Sequence, residues 1–80
     1  MTLNDAVALR TKRLLKERNM TVYRLERKSD IIHGALNRIL DGRNKTVTLT
    51  TVYKIARGFE MSVLQFLDDD LFRSDELEID

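Results

Sequence analysis

From Val7 to Leu67 the apolar residues of this chain return every three or four positions, and no proline interrupts them anywhere in its 80 residues. That spacing lines them up along one face of a helix, whereas a strand would need a period of two. A chain this short buries only about 60% of the surface its unfolded form exposes, so all the helices must share one small core. With no cysteine and a single histidine, neither disulfides nor a thiolate or imidazole metal cluster can help to hold it. Side-chain packing and well-made helix ends carry the fold.

Helix ends are legible in places. The first helix is predicted from about Asn4 or Asp5 to Arg18, with Asn4 as its cap, Val7, Thr11, Leu14 and Leu15 facing inward, and Arg10, Lys12, Arg13 and Lys16 in solvent. Thr21 can cap a second helix from Val22 to about Ser29, built on Leu25, and a tight turn follows at Ser29-Asp30-Ile31. A third helix is expected over about 33–41, with Gly42 in the left-handed conformation that ends it. Thr48 caps a fourth, along which Leu49, Val52, Ile55, Ala56 and Phe59 recur at helical spacing, with Gly58 near its end. Ser62 and Gln65 fit the Ser-x-x-Gln capping box, which starts a fifth helix at Val63 that runs to about Asp70 and buries Phe66 and Leu67. The predicted class is therefore all-α with five helices, organised as a domain over 1–67 and an acidic tail over 68–80.

The formal net charge of +1 conceals a strong asymmetry. Residues 1–67 hold 13 Lys and Arg against 6 Asp and Glu, whereas residues 68–80 hold one Arg against 7 acids. A body of +7 suits a polyanionic partner. The tail reads first as a solvated terminus, and second as a segment that competes for the basic surface or recruits a protein. No apolar run approaches the roughly 18 residues of a membrane span, and the start lacks the basic-then-apolar order of a signal peptide. The expectation is a cytoplasmic protein with no membrane association.

The segment SDIIHGALNRILDG raises the functional question. Ala35, Leu36, Ile39 and Leu40 form its apolar side, and His33, Gly34, Asn37, Arg38 and Asp41 fall opposite. Two short helices joined by a three- to four-residue turn form the arrangement that lays its second helix in the DNA major groove. There Arg38 can fork onto guanine O6 and N7, Asn37 can pair with adenine N6 and N7, and His33 can offer a donor or an acceptor. Gly34 removes a side chain where backbone approaches the bases.

The runs MTVYRLERKSDI, ALNRILDGRNK and LTTVYKIARGFEMSVLQFL together resemble the helix-turn-helix family of phage repressors and Cro proteins, the XRE-type, lambda-repressor-like fold. The resemblance covers residues 6–67 and implies sequence-specific binding of double-stranded DNA to regulate transcription, usually as a dimer. It assigns base reading to His33, Gly34, Asn37 and Arg38. Phosphate contacts fall to Thr21 and Val22 at the opening of the second helix and to Arg43, Asn44, Lys45 and Thr46 after the third. Tyr23 adds a hydroxyl.

Departures from the family pattern matter. Glu26 stands where Ala is preferred, Asp30 where Gly is preferred, and Val22 where Gln often grips a phosphate. Ile32 replaces the usual Ser or Thr cap of the third helix, a loss of about 1 kcal/mol unless another group substitutes. Leu15 and Leu40 occupy positions where several relatives pair an Arg with an acid, so an apolar contact is expected there.

Catalytic residues, metal ligands and cofactors are not expected: one His serves no nucleophile, and Asp68 to Asp70 lack the interleaved ligands of a calcium loop. A monomer of this size covers too little DNA for tight specific binding, so a homodimer is expected, if only on the operator, with Leu64 as a candidate contact. Two rival readings remain open. One is a DNA-binding antitoxin whose tail grips a toxin, and the other is a protein-interaction module that binds no nucleic acid.

Overall fold

The computed structural model describes residues 1–43, 46–73, 77 and 78. Five α-helices follow one another: α1 Leu3–Glu17, α2 Val22–Ser29, α3 Ala35–Leu40, α4 Leu49–Gly58 and α5 Val63–Leu67, with a 3-10 turn at Asp70–Phe72. The fold is all-α, and the one extended pairing among the described residues is a parallel bridge between Thr2 and Glu78.

Short polar side chains start four of the helices. Thr21, Thr48 and Ser62 each accept a hydrogen bond from the backbone N–H three residues on, and Gln65 returns one to complete the capping box of α5. The first helix begins earlier than its sequence suggests. Thr2, not Asn4, is its cap, because Thr2 and Asp5 bond each other's backbone N–H groups reciprocally and so satisfy two otherwise free amides. The bond from the Thr2 backbone N–H holds the Asp5 carboxyl below the usual carboxylate range.

The ends follow a common rule. Asn19, Asp30, Gly42 and Glu60 all have positive φ, and behind Asn19, Gly42 and Glu60 the chain closes with paired bonds, as in Gly42 N–H to Ile39 O and Arg43 N–H to Arg38 O. This left-handed closure satisfies carbonyls that the helix leaves free. Asp30 adopts the left-handed turn where the family prefers Gly, because a short polar side chain tolerates that region.

The core gathers Val7, Leu14, Leu15, Leu25, Leu36, Ile39, Leu40, Val52, Ile55, Phe59 and Phe66. Leu15 and Leu40 are both buried in this cluster, so apolar side chains fill these two places and no charge is desolvated there. Leu49, expected on the apolar stripe of α4, is instead largely exposed. Thr11 is fully buried and donates its hydroxyl to the Val7 carbonyl at 2.8 Å.

Helices α2 and α4 approach closely at Gly58. A Cβ there would meet Leu25 Cδ1 at 2.7 Å and Ser29 Cβ at 3.0 Å, so this glycine serves packing and does not terminate the helix. Gly58→Ala is expected to lose about 1–2 kcal/mol, overpacking outweighing the roughly 1 kcal/mol gained in helix propensity. Urea unfolding of the variant measures it.

The C-terminal segment departs from expectation. Helix α5 stops at Leu67, not near Asp70, and Asp69 then caps the 3-10 turn by accepting from the Leu71 N–H. Arg10, expected in solvent, reaches across instead: its guanidinium donates to the carbonyls of Phe66 and Gln65 and lies 3.3 Å from Asp69. Phe72 packs on the core, and Glu78 exchanges backbone bonds with Met1 and Leu3. The described part of the acidic tail thus docks on the first half of α1.

Candidate nucleic-acid interface

Helix α3 is shorter than the 33–41 expected. It spans Ala35–Leu40, and Leu36, Ile39 and Leu40 pin it to the core. Asn37 and Arg38 lie on its outer side, exposed, and their side chains make no hydrogen bond or ion pair with any described residue. Two unpartnered polar side chains thus face solvent on a firmly seated helix.

Gly34 is not a helical residue. It is the cap position, at φ +87, with no atom within 4 Å of the Cβ it lacks. The glycine is required by this left-handed conformation, which strains any side chain however open the space. The cost of glycine inside a helix therefore does not arise.

The cap position of α3 is Gly34 and not Ile32, because the helix starts later than its sequence suggests, and the side-chain acceptor that a glycine cannot supply comes from another helix. The Glu26 carboxylate is buried, and its Oε2 accepts from the Gly34 N–H at 2.8 Å and the Leu36 N–H at 3.3 Å. A carboxylate at a helix start also meets the positive end of the backbone dipoles. The other oxygen, Oε1, lies 3.3 Å from His33 Nδ1. Glu26 is the residue that holds the start of α3 in place, a part that position-by-position reading of the motif missed. Its signal in the sequence was a departure from the motif, an acid where Ala is preferred.

His33 precedes α3 by two residues, in the turn, with 83% of its side chain exposed. Its ring meets that of Tyr23 edge to face at a centroid distance of 6.1 Å. Arg27 stacks over the Tyr23 ring at 5.8 Å and reaches its hydroxyl at 3.3 Å. Tyr23, Arg24, Arg27 and Lys28 line a shallow basic depression along α2, beside the opening of that helix.

The phosphate candidates separate by position. Thr21 is exposed, but its hydroxyl is engaged in capping α2. The Val22 side chain packs partly on the core, which leaves its backbone N–H as the group for an anion. Arg43 and Thr46 are exposed, and Arg43 pairs with Asp41 at 3.0 Å, a surface contact too weak to hold it from a phosphate. Asn44 and Lys45 lie outside the described residues.

Leu64 is 77% exposed on α5, one position off the buried face that Phe66 defines. Among the described residues no helix is long and apolar enough to cross a membrane. Comparisons with curated proteins and with solved structures gave no match. A family model described as a Cro/C1-type HTH DNA-binding domain matches residues 10–70, a span that holds α2, the turn, α3 and their supporting helices, and the chain belongs to that family.

Proposed function

We propose that this chain is a sequence-specific regulator of transcription that sets α3 in the major groove of double-stranded DNA. The observation that carries this reading is the exposed, unpartnered pair Asn37 and Arg38 on a helix whose opposite face is buried. Residues 1–67 serve as the DNA-binding domain and 68–80 as an acidic appendage. Asn37 and Arg38 read base edges, and His33 and Gly34 stand at the entrance to the groove. Thr21, Val22, Tyr23, Arg43, Asn44, Lys45 and Thr46 position the protein on phosphates, which adds salt-dependent affinity without sequence information. The described part of the tail docks on α1 and leaves the exposed row of α3 uncovered, which supports binding by this surface. The protein acts in the cytoplasm as a homodimer, formed at the latest on a two-fold operator, with Leu64 in the contact between copies.

Arg38→Ala is expected to relax preference at one base position by about 1–3 kcal/mol, whereas Lys45→Ala weakens all sequences alike and lowers the salt slope by about one. Fluorescence titrations of operator and random duplexes over a series of salt concentrations separate the two effects. Equal losses on both duplexes for both variants contradict the division of roles. No binding of wild type to random duplex at low salt favours a protein-interaction module instead.

A further inference from the structure

Glu26 does more at this surface than close the end of a helix. Its Oε2 is committed to two backbone N–H groups and its Oε1 faces His33 Nδ1 at 3.3 Å. All of these neighbours are donors or potential donors, the arrangement that suits an ionised carboxylate, which only accepts. A neutral imidazole carries its proton on one nitrogen. With the proton on Nε2, the Nδ1 lone pair would confront carboxylate lone pairs at 3.3 Å. With the proton on Nδ1 the same contact is attractive. The carboxylate side chain is 3% exposed and the imidazole 83%, so the acid is the fixed member of the pair and the ring is the member it orients. The Tyr23 ring also meets the imidazole, edge to face at 6.1 Å between centroids.

We infer that Glu26 is a positioning residue for DNA readout: it holds His33 with Nδ1–H toward the protein, so that Nε2 meets the DNA as a lone-pair acceptor for the exocyclic amino group of cytosine or adenine. The inference rests on the groove-reading role proposed above for this segment. It supplies what motif reading left open, namely whether His33 donates or accepts.

The chain holds one histidine, so its ring nitrogens are observed without assignment ambiguity in long-range proton–nitrogen NMR spectra. In the free wild type, at a pH where the nitrogen shifts show a neutral ring, the Nδ1–H form is expected. Glu26→Gln keeps an oxygen for the Gly34 and Leu36 amides and turns an NH2 group toward Nδ1. The ring proton is then expected on Nε2, and the nitrogen facing DNA becomes a donor.

Selection from a random duplex pool should shift one position from cytosine or adenine toward guanine or thymine. The change in relative preference should be about threefold to tenfold, the worth of one hydrogen bond. If Glu26→Gln does not fold, His33→Ala, at an exposed site, should erase preference at that position alone. An Nε2–H ring in a wild type that binds DNA overturns the inference and spares the proposed function, as does a consensus unmoved by either variant. A wild type that binds no duplex overturns both.

Discussion

Glu26→Ala lowers the stability of the folded chain by about 1–3 kcal/mol, because the Gly34 and Leu36 N–H groups, held by Glu26 Oε2, lose their acceptor and the buried Leu36 N–H is out of reach of water. Leu36 is fully buried, so the loss is felt where α3 joins the core as well as at its exposed start. Urea unfolding followed by circular dichroism measures the change. Hydrogen exchange locates it: the amides of residues 34–36 should exchange fastest relative to wild type. A variant as stable as wild type would show that the amides find another partner.

Phe59→Ala is the more damaging change, at about 3–5 kcal/mol, the cost of removing a buried aromatic ring together with the cavity left behind. Phe59 is fully buried, its ring lies 5.6 Å beneath the Arg18 guanidinium, and its carbonyl accepts from that same side chain. The residue therefore ties the end of α4 to the end of α1. A domain of this size has only about 4–12 kcal/mol in total, so the variant loses from about a quarter to all of its stability. Thermal melts read the effect directly. Tyr53→Ala, at a half-exposed site on the same helix, is the control and should shift stability by no more than about 0.5 kcal/mol.

The ease of reading this fold from its sequence follows which interactions are local. Caps supplied by a side chain to its own helix were plain, since Thr21, Thr48 and Ser62 each act three residues away. Thr2 was missed in favour of Asn4 because its reciprocal partner is Asp5, and a Thr-x-x-Asp pair is a weaker signature than the Ser-x-x-Gln pair that marked α5. Helix ends were legible where a glycine or a polar turn stood, as at Ser29, where α2 gives way to Asp30. Gly42 closes α3, but Asn19 and Glu60 take the same left-handed conformation with side chains that seldom announce it. Gly58, close to the end of α4, attracts a terminator role and in fact makes room for Leu25 and Ser29.

The site divides in the same way. The outward row of Asn37 and Arg38 follows from helical spacing against Leu36, Ile39 and Leu40. The start of α3 does not, because its stabiliser sits eight and ten residues upstream of the amides it holds. Arg10 repeats the lesson over a longer reach. A charge that looks solvated along its own helix is drawn to the free carbonyls of Gln65 and Phe66 at the end of α5, which a pattern read along one helix does not contain.

The most direct test of the whole reading is a selection of duplexes bound by the wild-type chain from a random pool, followed by sequencing. A two-fold-symmetric consensus whose half-sites lie one helical turn apart, about 10–10.5 base pairs centre to centre, is the expected result, with Arg38→Ala losing preference at one position in each half. A pool that leaves the selection as random as it entered, from a chain shown to be folded, would contradict it.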